Sequence, residues 1–184
     1  MRTRYDGTST HLGTIARISL VVLLLWPVNL TAGDRDPVSL LRACLIPPGA
    51  LRPACSLIWQ IEPRVVSAAD PEEAKELALW SSFWFGGPAR KELIRAASST
   101  IYSTAAQSNA CTVHAFYWTD VEHAAKALAF LKAHFQGSTK HVFQLHGPIL
   151  VAFTNMARLP EDCFETIQRS VSQAYEHALQ SPSA

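Results

Sequence analysis

The chain has 184 residues, 48% of them hydrophobic, and a formal net charge of +1 at pH 7. A near-neutral chain without a basic run lacks the charge that a phosphate backbone demands, so nucleic acid is not expected as a partner. The hydrophobic content and the five tryptophans argue against disorder and favour a folded domain.

Residues 1–33 have the pattern of an export signal. Three arginines precede a largely apolar stretch from Ile18 to Trp26. The Thr-Ala-Gly segment at 31–33 then supplies the small residues that a signal peptidase requires. Cleavage there leaves residues 34–184 as a single domain, which we expect to be secreted or periplasmic.

The alternative to cleavage is a retained membrane anchor. The apolar stretch continues to Leu30, but Pro27 interrupts it, and the whole stretch is shorter than the about 20 apolar residues that a spanning helix needs. The length therefore favours cleavage, and a membrane is expected as a partner only if the N-terminal segment is retained.

Four cysteines follow the signal: Cys44, Cys55, Cys111 and Cys163. An even number in an exported chain favours disulfides, and four cysteines allow three pairings. We expect Cys44 to bond Cys55, because the Pro-Pro-Gly segment between them can turn the chain back. Cys111 would then bond Cys163 and link a strand to the last helix. Buried free thiols are the alternative, and the spacing does not fit a zinc site.

Capping residues and hydrophobic periodicity predict the elements in chain order. A short helix over 37–42 is followed by an extended segment over 56–66, which Pro63 limits to the edge of a sheet. Asp70 can cap a helix that has proline in its first position and ends near Phe85.

A second helix is expected from Pro88 through Leu93, Ala96 and Ala97, although residues 98–104 suit a strand equally well. The remainder reads as strand, helix, strand, strand, helix over 111–118, 120–135, 141–145, 149–154 and 160–178.

This order of elements predicts an α+β fold, in which helices pack on a small mixed or antiparallel sheet. A split βαβ unit of ferredoxin-like type is one arrangement that would suit residues 111–179. Such architectures host many unrelated functions, so the fold alone does not choose one.

The candidate binding residues are the aromatic side chains that end the helix over 70–85. Leu77, Trp80 and Trp84 recur at helical spacing, which is typical of a core stripe, whereas Phe83 and Phe85 diverge from it. Aromatic planes can stack on sugars or line a cleft for an apolar ligand. We therefore place any binding site at Trp80, Phe83, Trp84 and Phe85.

Histidines are the next candidates, since five of them lie between positions 114 and 146. His123 and His134 are about 16 Å apart along one helix at 1.5 Å per residue, too far to share an ion. His141 and His146 face opposite sides of a regular strand. His114 could still meet one of these two across a sheet, but neither a metal nor another cofactor is predicted.

Catalytic motifs are weak. Paired carboxylates fall in the first turns of predicted helices, where capping explains them, and no G-x-S-x-G or H-E-x-x-H motif occurs.

The leading hypothesis is an exported binding or envelope structural module without catalysis, whose partner is a protein or an apolar or carbohydrate ligand. The alternative is a secreted hydrolase assembled from distant segments with His114 or His146 as base. No pattern here is the signature of a known family.

Overall fold

The computed structural model describes residues 36–51, 55–86, 93–106 and 108–180. The predicted signal over 1–33, the alternative anchor and the predicted helix start at Pro88 all lie outside these residues.

The described part of the chain forms four α-helices and five strands, which confirms the predicted α+β class. Their bounds are α1 Pro37–Ala43, β1 Leu57–Ser67, α2 Pro71–Phe85, β2 Ile94–Thr104, β3 Ala110–Trp118, α3 Val121–His134, β4 His141–His146, β5 Ile149–Asn155 and α4 Glu161–Gln180, with a short 3-10 turn at Pro48–Leu51.

The five strands form one antiparallel sheet in the order β1-β2-β3-β5-β4. The cores on its two faces are separate: α1 and α4 cover one face, and α2 and α3 cover the other. A ferredoxin-like unit keeps both of its helices on the same face, whereas α3 and α4 lie on opposite faces here. The ferredoxin-like arrangement is therefore not confirmed.

β1 is an edge strand, as predicted. Pro63 lacks an N–H to donate to a neighbouring strand, and the pairing of β1 with β2 shifts register between Ile61 and Arg64. These irregularities disturb the outer edge of β1, which makes the edge a poor template for another strand.

The helix expected through Leu93, Ala96 and Ala97 is wrong from Ile94 onward, because that segment is strand β2. Ala96 belongs to the core beneath α1 and α4, while Ala97 belongs to the core beneath α2 and α3. Alternation between two cores is the pattern of a strand covered on both faces. Pairing with β1 and β3 thus outweighs the helix propensity of the alanines.

The single disulfide in the described residues joins Cys55 to Cys163, whose Cα atoms are 5.4 Å apart across a sequence separation of 108. Both expected pairings are wrong, because Cys44 and Cys111 are buried and unbonded. The 3-10 turn carries the chain from α1 towards the first turn of α4 rather than back to Cys44. Burial raises the pKa of each free thiol to about 12.

No helix within the described ranges has the length and apolar character needed to cross a membrane.

Reduction of the Cys55–Cys163 disulfide should lower the free energy of unfolding by about 2–5 kcal/mol. The bridge closes a long loop and so restricts the unfolded chain. Urea denaturation with and without dithiothreitol measures the difference. A Cys55→Ser, Cys163→Ser double variant should show the lower stability in both conditions.

A Cys44→Ala variant is the matched control, since it removes a buried thiol outside the bridge and should keep its response to dithiothreitol. Without reductant, the denatured chain should titrate two thiols, not four or none. Equal stability of the native chain in both conditions would contradict the Cys55–Cys163 bridge.

Candidate functional site

Strand register places one row of side chains across the whole sheet on the face that α2 and α3 cover. The pairs Ile61–Ile101, Ile101–Thr112, Thr112–Thr154 and Thr154–His141 lie side by side through β1, β2, β3, β5 and β4. The row beside it contains Ser99, His114, Ala152 and Phe143.

Helix packing leaves part of this face open as a cavity of about 340 Å³. The row Val66, Ala97, Phe116 and Leu150 is buried beneath α2 and α3, whereas the two rows described above border the cavity. None of the described lining residues is Asp, Glu, Lys or Arg; they are Phe83, Trp84, Ser99, Ile101, Thr112, His114, Phe135, His141, Thr154 and Met156.

Trp84 forms the inner wall of the cavity and is 4% exposed. Its ring centroid lies 5.7 Å from that of His114, 5.9 Å from Phe135, 6.2 Å from His141 and 6.1 Å from Phe143. One side chain of α2 therefore meets rings from β3, β4 and the end of α3. Offset and edge-to-face ring contacts at such distances are favourable.

Phe83 forms the outer wall. It is 80% exposed, and its ring meets Trp84 edge-on at a centroid distance of 5.5 Å. An exposed phenylalanine beside a cavity offers apolar surface that a ligand can cover, with a gain in proportion to the area buried.

Three of the lining residues carry buried polar atoms without a hydrogen-bond partner among the described residues. These atoms are Trp84 Nε1, His114 Nδ1 and Thr154 Oγ1. A buried donor or acceptor left unpaired costs about 1–3 kcal/mol. The residues that line the cavity thus hold unused hydrogen-bonding capacity, in atoms that are buried in this structure.

The two histidines of the cavity are held in the neutral form. Burial lowers the pKa of His114 to about 4 because the charged imidazolium loses hydration. Burial also lowers the pKa of His141, and the positive charge of Lys140 adds to the effect. Neither imidazole therefore brings a positive charge to the cavity at neutral pH.

The aromatic residues predicted from sequence divide between this cavity and the core. Phe83 and Trp84 line the cavity, and Trp80 lies behind it with its ring edge-on to His114 at 6.0 Å. Phe85 is 2% exposed and packs against Phe116 and Trp118 instead. Two of the four thus line the cavity, Trp80 packs against a lining residue from behind, and Phe85 belongs to the core beneath α2.

The other three histidines between positions 114 and 146 lie elsewhere. His123 contacts Asp120 at the start of α3, with 2.6 Å between Nδ1 and Oδ2, and His134 stacks on Phe130. His146 stacks on Tyr175 of α4, so His141 and His146 face opposite sides of the sheet as predicted. Nowhere in the described ranges do three or more His, Cys, Asp or Glu side chains gather as a metal site would require.

The paired carboxylates in the first turns of α2 and α3 make structural contacts. Asp120 accepts a hydrogen bond from the amide of His123, while Glu72 and Glu122 form ion pairs with Lys75 and Lys126. At the start of α2 the predicted cap Asp70 accepts hydrogen bonds from the amides of Glu72 and Glu73, which have no partner within the helix.

Sequence analysis missed the strand residues of the site, namely Ser99, Thr112 and Thr154. A signal for them exists, because polar residues at alternate positions of a doubly covered strand share one face. Thr112 and His114 have that spacing in β3. Joining them to Thr154 requires the register between β3 and β5, which the sequence alone does not show.

Comparison with protein-family models, with curated proteins and with solved structures finds no match to this chain.

His114 should make the folded protein less stable in acid. Its pKa is about 4 in the folded chain against 6.5 for a free histidine, so the unfolded chain binds more protons between these values. The free energy of unfolding therefore falls as the pH drops from about 6.5 to 4, by up to about 3 kcal/mol. Urea denaturation across this pH range measures the slope.

A His114→Phe variant keeps an aromatic ring and should show a shallower slope over the same range. His134→Gln, which replaces an exposed histidine of α3, is the control and should keep the slope of the native chain. Identical slopes in His114→Phe and the native chain would rule out His114 as the source.

Proposed function

We propose that this protein is an exported binding protein that holds a small, mostly apolar ligand between α2, the end of α3 and the sheet. The observation that carries the proposal is the uncharged aromatic cavity with three unpartnered polar atoms in its wall. Ligand sites are typically concave and mostly apolar, with a few placed polar groups that orient the ligand.

The size of the cavity indicates the scale of the ligand. Its volume of about 340 Å³ is near the lower end of the roughly 300–1,000 Å³ range of ligand pockets. A ligand of one or two fused rings suits this volume better than an extended chain. Such a ligand would rest against both Phe83 and Trp84, whose rings meet edge-on.

A hydrolase based on His114 or His146 receives less support. A base with a pKa of about 4 has low proton affinity at neutral pH, and general bases work best when their pKa lies near the working pH. Nδ1 of His114 also lacks a described acid to orient the ring. His146 lies across the sheet from the cavity, against Tyr175.

The Cys55–Cys163 bridge supports the proposed export, because disulfides form and persist in oxidising compartments. A secreted or periplasmic location is therefore part of the proposal. Mass spectrometry of the protein purified from its native source should find an N-terminus near Asp34. A chain that still begins at Met1 would contradict cleavage.

Phe83→Ala should weaken ligand binding without unfolding the protein. The side chain is 80% exposed, so its loss removes little core packing but removes one wall of the cavity. Titration with the neutral fluorescent probe N-phenyl-1-naphthylamine should show a loss of affinity of about tenfold, since burying an aromatic ring contributes on the order of 1.5 kcal/mol or more.

Leu79→Ala is the matched control, because Leu79 is 71% exposed on the same helix and does not line the cavity. Its affinity for the probe and its thermal midpoint should equal those of the native chain. If both variants bind the probe as the native chain does, the cavity is not the binding site.

A further inference from the structure

We propose that the ligand of this cavity is a neutral, flat aromatic molecule with a hydrogen-bond acceptor, paired with the indole N–H of Trp84. This inference rests on the proposed function of the same site and specifies the chemistry of the ligand.

Neutrality follows from the charges around the site. The described lining contains no Asp, Glu, Lys or Arg, so an ionised ligand would lose hydration without gaining an ionic partner, which is costly. Arg64 is the register neighbour of Ser99, but its guanidinium is engaged by Glu76 of α2 at 2.8 Å. His114 and His141 are neutral at neutral pH, so they offer an anion no positive charge.

Flatness and aromatic character follow from the walls. Phe83 and Trp84 stand nearly perpendicular, at 88°. The ring centroids of Phe135 and His141, which also line the cavity, lie 4.3 Å apart. A flat ring can meet such walls in edge-to-face or offset contacts, each worth a few-fold in affinity beyond the area it buries. An aliphatic ligand of equal area would not gain these ring contacts.

A carbohydrate fits the site less well than an aromatic molecule. Sugars carry many hydroxyl groups, each of which needs a partner once it leaves water. Of the five polar side chains in the described lining, the hydroxyl of Thr112 already donates to the Met156 sulfur at 2.7 Å, and Nδ1 of His141 is paired with the hydroxyl of Ser138 at 2.8 Å. Too few polar groups remain to satisfy a sugar.

The requirement for an acceptor comes from Trp84. An indole N–H can only donate, whereas a threonine hydroxyl and a neutral imidazole can each act in either role. Of the three unpartnered groups, Trp84 Nε1 therefore requires a hydrogen-bond acceptor as its partner. His114 and Thr154 can pair with either a donor or an acceptor. Each of these atoms is buried in the free protein, so pairing with the ligand requires the side chain to rotate until the atom faces the cavity.

Four probes with the same ring system test the proposal on the oxidised mature chain, 34–184, at pH 7. Naphthalene has no polar group, 2-acetylnaphthalene has a neutral acceptor, 2-naphthoate is an anion, and 2-naphthylmethyl-trimethylammonium is a cation. The proposal expects the ketone to bind about five- to tenfold more tightly than naphthalene, as one neutral hydrogen bond allows. Both ions should bind more weakly than the ketone. Calorimetry or competition with N-phenyl-1-naphthylamine measures the affinities.

Trp84→Phe tests the donor, because it keeps a ring at this position and removes the N–H. The advantage of the ketone over naphthalene should vanish, while naphthalene affinity changes by about twofold or less. Trp80→Phe is the matched control: Trp80 contacts His114 but does not line the cavity, so this variant should keep the preference for the ketone. Thermal unfolding of both variants reports whether they fold.

The outcomes separate the ligand class from the proposed function. Equal binding of naphthalene and the ketone, or tightest binding of either ion, overturns the inference but leaves a ligand-binding cavity. Retention of the ketone preference in Trp84→Phe overturns the role of the indole. If Trp84→Phe does not fold, the order of the four probes on the native chain still decides. If none of the probes binds, both the inference and the proposed function fail.

Discussion

Trp84 is the side chain on which the architecture of the site depends. It lies at the end of α2, yet its ring contacts come from β3, β4 and the segment that follows α3. Truncating a buried tryptophan typically costs about 3–5 kcal/mol. The same ring thus holds α2 against the sheet and lines the cavity, so the packing of α2 and the shape of the cavity depend on one residue.

The two faces of the sheet differ in what they carry. The face under α1 and α4 carries the Cys55–Cys163 bridge, and there the Tyr102 hydroxyl donates to the carbonyl of Ile46 at 2.7 Å. The face under α2 and α3 carries the cavity, while buried polar atoms without a partner in the described residues occur on both faces, Trp59 and His146 holding them on the face under α1 and α4. The bridge stabilises the whole domain by restricting the unfolded chain, and this gain offsets part of the cost of the incompletely filled face. Functional sites commonly retain such locally unfavourable features on a rigid scaffold.

Sequence patterns predicted the elements whose signals are local. Asp70 and Pro71 mark the start of α2 because a cap and a proline act within one turn, and the largely continuous apolar runs of β3 and β5 reflect strands buried between two cores. The helix predicted across Ala96 and Ala97 failed because pairing with two neighbouring strands, which is not a local property, decided the outcome. The predicted disulfide pairings were wrong for the same reason, since the observed bridge joins residues 108 positions apart along the chain.

The candidate site shows the same limit. Trp84 and Phe83 could be selected from sequence because aromatic residues are concentrated at the end of one helix. Thr112, Thr154 and His141 could not be joined to them, because their proximity depends on the register of three strands. Individual residues of a site can therefore be suspected from their chemistry, whereas the shape of the cavity follows only from the completed sheet.

The unbonded cysteines have a further consequence for how the chain keeps its bridge. Exchange between a thiol and a disulfide proceeds through the thiolate, and a thiol with a pKa of about 12 is ionised in only on the order of one molecule in 10⁵ at pH 7. Cys44 and Cys111 are thus unreactive towards the disulfide between Cys55 and Cys163. Once the native disulfide has formed, burial of the two free thiols protects it against thiol–disulfide exchange.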